Sequence, residues 1–249
     1  MSDIFSRIAL PATIAHRGLS AHAPENTLAA VKAAHAAGHA WVELDVQLLG
    51  DGTPIIWHDA GVRRCSNSRG KLKKLNWEVA SRLDVGRWFD TTFSGERMAT
   101  LEEMLALLDE LGMGLNLELK VNRGRDASAL VESVLPAAMQ SLPRERLLVS
   151  SFDMTALNAA RRLVPDPQAL ALGLLYEKLP RDWEDRASRL GAFSLHLDWR
   201  RLKLAQAQAV AASDYRLLCY TVNDTQAYQR LCQWGVDAVI SDDPGRLTR

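Results

Sequence analysis

Glu43 and Asp45 lie two residues apart in the run Trp41-Val42-Glu43-Leu44-Asp45-Val46, whose other members are strand-forming types. Side chains alternate across a strand, so both carboxylates share one face while Val42, Leu44 and Val46 share the other. Neighbouring carboxylates in an apolar setting repel each other and lose hydration, and a divalent cation neutralises both. The same spacing recurs in Leu117-Glu118-Leu119-Lys120. An acid and a base on one face of a strand that lines a packed interior either pair with each other or serve a ligand.

Three carboxylates offer hard oxygen donors, with no cysteine and no spaced histidine set among them. That favours Mg²⁺ or Ca²⁺ over zinc, with Mn²⁺ as a further option. Arg17 and Lys120 supply positive charge for an anion, the arginine with a planar fork suited to two phosphate oxygens. His16 and His58 are then available for proton transfer, one accepting from an attacking oxygen and the other donating to a departing one. A cation, a cationic clamp and two imidazoles are the parts that phosphoester cleavage requires. Lys120 has a second option: as a desolvated amine it could form a Schiff base, although Glu118 beside it favours the charged ammonium.

Such residues must be gathered by a scaffold, and the chain alternates strand and helix signals. Short apolar runs at 12–15, 41–46, 115–121, 147–150, 169–175, 193–197, 216–222 and 238–241 predict eight strands. Helical segments follow all but the last, among them one opened by Asn26-Thr27 and closed by Gly38, and one opened by the capping box of Thr100 and Glu103. Residues 50–98 break the rhythm with an Asp51-Gly52 turn, a further strand at 54–57 and a basic irregular stretch, and read as an insertion. Eight alternating units predict an α/β (β/α)8 TIM barrel, one domain over residues 1–249 with a small insertion after the second strand. A doubly wound open sheet is the runner-up, but no G-x-G-x-x-G follows the first strand. In a barrel the active site forms at the carboxyl ends of the strands, where the polar residues singled out above fall.

Composition narrows the partners. Thirty basic residues balance thirty acidic ones, which gives no reason to expect nucleic acid or an anionic membrane. The basic run from Arg63 to Lys74 lacks interleaved aromatics and reads as a solvated face of the insertion. Three cysteines, Cys65, Cys219 and Cys232, are widely separated without a C-x-x-C pair, and no apolar segment approaches membrane-spanning length. The expected location is the cytosol, as a monomer or homodimer.

The motifs IAHRG (14–18), APENT (23–27), VELDV (42–46), WHD (57–59), LELK (117–120), SSF (150–152), YTVN (220–223) and GVDAVISDDP (235–244) together resemble the glycerophosphodiester phosphodiesterases, in particular their cytosolic bacterial members. The resemblance implies a metal-dependent barrel enzyme that hydrolyses small glycerophosphodiesters to sn-glycerol 3-phosphate and an alcohol. By motif position, Glu43, Asp45 and Glu118 match the metal ligands, His16 and His58 the acid/base pair, and Arg17 and Lys120 the phosphate-facing cations. One local departure is Cys65, where that family commonly carries threonine.

At the remaining strand ends, His196, Phe152 and Tyr220 are candidates to line the substrate, in competition with ordinary packing. His22, His35 and His39 read as surface residues. The preferred alcohol, the cation, and the choice between direct water attack and a cyclic phosphate are open at this level.

Overall fold

Each predicted strand pairs with its neighbour in the order that alternation requires. The structure, a computed structural model, describes residues 8–247. Its elements run β1 (Thr13–His16), α1 (Leu28–Ala36), β2 (Trp41–Leu48), β3 (Pro54–Ile56), α2 (Trp77–Ala80), α3 (Leu101–Glu110), β4 (Gly114–Leu119), α4 (Ala127–Ser141) and β5 (Leu147–Ser151). They continue with α5 (Met154–Leu163), β6 (Ala171–Tyr176), α6 (Trp183–Leu190), β7 (Ser194–Asp198), α7 (Leu204–Ala211), β8 (Arg216–Tyr220), α8 (Thr225–Gln233) and β9 (Ala238–Ser241). All strands but β3 are parallel, and β1 pairs with both β2 and β9, so the sheet closes. The result is a TIM barrel. No helix among the described residues is long and apolar enough to cross a membrane.

Local sequence fixes the ends of these elements. The Thr27 hydroxyl accepts the Ala30 N–H to open α1, and Gly38, at φ +82°, turns the chain after it. Thr100 and Glu103 form the reciprocal capping box of α3. Asp153 and Asp224 cap α5 and α8, each directing a helix away from a strand end. Strand β4 stops at Leu119, one turn of the pleat short of the predicted end, so Lys120 opens the following loop with its N–H on the Val46 carbonyl.

Alternation divides the apolar residues into two layers. Val42, Leu44 and Val46 face outward and join the sleeve between strands and helices. Trp41 faces inward with Ile14, Leu148, Ala171, Phe193, Leu218, Ala238 and Ile240 and fills the barrel. Gly114 makes room for this plug, because a Cβ there would lie 2.1 Å from the Trp41 ring. Above the plug the inward positions turn polar, and they do so at the carboxyl ends of the strands.

The segment after β2 is tied to the barrel by its first strand, since β3 pairs antiparallel with β2. The rest packs on a small core of its own that includes Trp57, Val62, Leu72, Leu83 and Met98. Cys65 is buried in that core, and burial pushes its thiol up to about 12. It fills space there as a small apolar side chain.

Candidate active site

The register of β2 and β4 sets Asp45 beside Glu118, and that of β1 and β2 sets His16 beside Glu43. Glu43, Asp45 and Glu118 bring one carboxylate oxygen each within 4.8 Å of one another. All three are buried, Asp45 at 1% exposure. Burial and the charges of Asp45 and Glu118 push Glu43 well above the usual carboxylate range. Burial and Asp45 push Glu118 up to about 7. Asp45 is also desolvated, but Lys120 and Arg17 outweigh that and hold it below the ordinary value.

A cluster that resists full ionisation and offers only oxygen donors fits a hard divalent cation. Asn116, the cross-strand partner of Glu43, adds a buried Oδ1 that has no hydrogen-bond partner. Buried acceptors of this kind are normally satisfied, so the environment is suited to a cation as well. The donor set could therefore hold a metal ion.

Two cations close the cluster. Lys120 Nζ lies 2.8 Å from Glu118 Oε1 and 3.4 Å from Asp45 Oδ1. Burial works against its charge, but Asp45 and Glu118 more than compensate and raise its pKa. It stays an ammonium, which removes the nucleophilic amine that a Schiff base needs. Arg17 sits at φ +53°, donates its backbone N–H to Glu43 Oε2 at 3.2 Å, and pairs with Glu25 at 2.8 Å. Its Nε is 3.3 Å from Asp45 Oδ2 yet lacks hydrogen-bond alignment.

Both imidazoles are anchored through Nδ1. His16 Nδ1 is 2.6 Å from Asp242 Oδ1, and His58 Nδ1 is 2.7 Å from Asp59 Oδ1. Asp242 also accepts from Ser20 and Asn223, and despite its burial these bonds and His16 hold it at about 2. Asp59 is held at about 2 chiefly by Arg64, which bridges on to Glu25. A network thus runs His58, Asp59, Arg64, Glu25, Arg17. With Nδ1 committed, the Nε2 of each ring is left for a reacting group. Burial, together with Arg17 and Lys120, lowers the pKa of His58 in spite of Asp45 nearby.

His16, Arg17, Glu43, His58, Glu118 and Lys120 line one cavity of about 280 Å³ at the carboxyl mouth of the barrel. Ser150 lines it too, with a buried hydroxyl that has no partner. Phe152 and Tyr220 form one wall, edge to face at 5.9 Å, and Phe152 is 44% exposed. Lys120 Nζ lies 5.8 Å from the Phe152 ring. His196 is placed differently: it is fully buried inside the barrel, bonded to Ser194 Oγ at 2.8 Å and packed over Gly173, and it is not among the residues that line the cavity. Burial drives its pKa down to about 3, so it stays neutral. His22 is on the surface, 3.1 Å from Asp243.

Several residues in the site carry no role in the sequence reading. Asp242 follows β9 as His16 ends β1, and the same strand-end rule would have pointed to it. Asn26 reads as part of a helix cap; Thr27 provides that cap, and Asn26 turns back at φ +58° to bond Asp45 twice, through its Nδ2 to Oδ2 and its Oδ1 from the backbone N–H.

The fold and this mouth are those of a barrel hydrolase. The glycerophosphoryl diester phosphodiesterase family matches residues 16–246. A glycerophosphodiester phosphodiesterase of Caldanaerobacter subterraneus subsp. tengcongensis is 34% identical over 241 residues, covering 94% of this chain and 95% of the relative. A phosphodiesterase of Oleispira antarctica, solved in complex with the product sn-glycerol-3-phosphate, superposes with a TM-score of 0.91 at 36% identity, covering 96% of this chain and 95% of that one. The glycerophosphodiester phosphodiesterase of Thermotoga maritima, at 24% identity and a TM-score of 0.73 over 94% of this chain and 96% of its own, shares the fold. The chain belongs to the glycerophosphoryl diester phosphodiesterase family, and it is a hydrolase of that class.

Proposed function

We propose that the chain hydrolyses glycerophosphodiesters to sn-glycerol 3-phosphate and an alcohol, with His16 and His58 as the acid/base pair. The observation that carries this reading is two carboxylate-anchored imidazoles on a cavity that Glu43 and Glu118 of the acidic cluster also line. Glu43, Asp45 and Glu118 would hold Mg²⁺ or Ca²⁺, with Mn²⁺ as an alternative. The bound cation would neutralise charge that builds on the phosphoryl oxygens.

The other residues bind and move protons. Arg17 and Lys120 face the phosphodiester, and the partnerless Arg17 Nε and Ser150 Oγ are polar atoms that a bound phosphate or glycerol would satisfy. One imidazole takes the proton of the attacking oxygen through Nε2. The other gives its proton to the alcohol oxygen as the P–O bond breaks. Water, or the glycerol hydroxyl that closes a cyclic phosphate, can be the attacking group, and both routes use the same two rings. Phe152 and Tyr220 would line the glycerol or alcohol side. His196 would act at most from beneath, as a neutral ring that supports the floor.

The product complex of the Oleispira relative supports glycerol 3-phosphate as the product of this chain as well. Cys65, Cys219 and Cys232 are free, in keeping with a cytosolic enzyme. The test is a panel of glycerophospho-alcohols assayed for released glycerol 3-phosphate with the cation varied. No release from any of them, with every cation tried, would overturn the proposal.

A further inference from the structure

We infer that the chain has a second anion-binding site beside the catalytic cavity, suited to glycerophosphodiesters whose alcohol carries a further phosphate. The inference rests on the phosphodiesterase reading above. A separate cavity of about 670 Å³ lies between the insertion and the loop after β4. Lys71 and Lys73 line it from one side and Arg123 and Arg125 from the other, and no carboxylate lines it. Fifty residues of sequence separate the two basic pairs, and the fold brings them to one hollow.

The basic run of the insertion is therefore divided in its work. Arg64 is spent inward on Glu25 and Asp59. Lys71 and Lys73 face the hollow, and none of its four cations forms an ion pair among the described residues. Four like charges gathered without counter-charge attract anions, and most strongly a phosphate monoester of nearly two negative charges.

The hollow is built and shares a wall with the catalytic cavity. His58 lines the catalytic side and Ala60 the basic side; Lys120 lines the first and Asn122 the second. Two residues of chain span at most about 7 Å, a distance that a polyol carrying two phosphates can bridge. Gln47 fixes the wall from within: its Nε2 donates to the carbonyls of Trp57, His58 and Asp59, and its Oε1 accepts from Asn122. Leu72 N–H donates to Ala60 O, and Arg125 donates to the carbonyls of Leu48 and Leu49. An alcohol bound on the His58 side would thus set a second phosphate among these four cations.

The test compares glycerophosphoglycerol with the same compound phosphorylated on its alcohol side, with the cation present. The variant is Lys71→Gln/Lys73→Gln/Arg123→Gln, whose side chains are exposed, so that the fold is kept. Arg125 is left intact because it holds backbone carbonyls. Wild-type enzyme should favour the phosphorylated substrate about tenfold or more in kcat/KM at low salt, and the preference should shrink as salt rises. The variant should lose that preference and keep its turnover of glycerophosphoglycerol. Equal kcat/KM for the two substrates in the wild type, or an unchanged preference in the variant, would overturn the inference while the phosphodiesterase reading stands. Turnover of neither substrate would overturn both.

Discussion

Asp242 stands 2.6 Å from the Nδ1 of His16, across 226 residues of sequence. A carboxylate there accepts a hydrogen bond from Nδ1–H and leaves Nε2 bare, which fixes the tautomer as well as the ring. An amide in its place can donate to Nδ1 and reverse the tautomer. Asp242→Asn should therefore lower kcat by roughly 10- to 100-fold with a small change in Tm. His16→Ala should cost roughly 100-fold or more. The two changes act through one ring, so the double variant should be no slower than His16→Ala alone. Additive losses in the steady-state rates would separate Asp242 from His16.

Metal binding should be tied to pH through Glu118. Its value of about 7 in the folded chain stands above the 4.5 of a free glutamate, so between those limits the folded protein holds a proton that the unfolded chain has released. For this group the stability of the metal-free protein falls as pH rises through that window, and a cation must displace the proton to bind. The gain in Tm from added Mg²⁺ or Ca²⁺ should accordingly grow from pH 5.5 to pH 8. Glu118→Gln should shrink the gain and flatten its pH dependence. A gain that is the same at both pH values in the native protein would contradict the assignment.

Asn26 gives a test of how the acids are held. Asn26→Ala removes two hydrogen bonds from Asp45 and places alanine at φ +58°. The unpaired buried group costs about 1–3 kcal/mol, and the left-handed backbone adds roughly 1–2 kcal/mol. Asn26→Gly removes the same bonds and relieves the backbone. Urea denaturation should rank wild type above the glycine variant and the glycine variant above alanine; alanine equal to glycine would show that the positive φ carries no penalty here.

Gly114→Ala probes the plug. A methyl group at 2.1 Å from the Trp41 ring forces the indole to move in a filled barrel. Overpacking of this kind costs about 1–3 kcal/mol. The expected outcome is a lower Tm and a shift in tryptophan emission. An unaltered Tm would mean that the barrel floor yields more easily than its packing implies.

What could be read from the sequence was what period and spacing encode. Glu43, Asp45 and Glu118 stood out because carboxylates alternating with Val and Leu leave a signature two residues long. The closing of β9 on β1 followed from counting such runs. The partners of the imidazoles left no local trace: Asp59 neighbours His58, but its clamp by Arg64 depends on how the insertion folds, and Asp242 meets His16 only when the barrel closes. His196 shows the limit from the other direction, because the strand-end rule nominated it while the burial of its ring depends on Gly173 in the next strand. Lys71 and Lys73 read as solvated and are exposed, but that Arg123 and Arg125 lie across from them is set by the fold alone.

Gln47 lies on β2, yet it grips three successive carbonyls around His58. The backbone that carries the imidazole is consequently held by the barrel, while its ring is held by Asp59 and, behind it, Arg64. The exposed residues beyond Arg64, its lysines among them, could be exchanged while the core under Trp57 and the reaction centre kept their shape. The architecture is modular in that sense: a grafted excursion would carry a new preference for the alcohol onto unchanged chemistry.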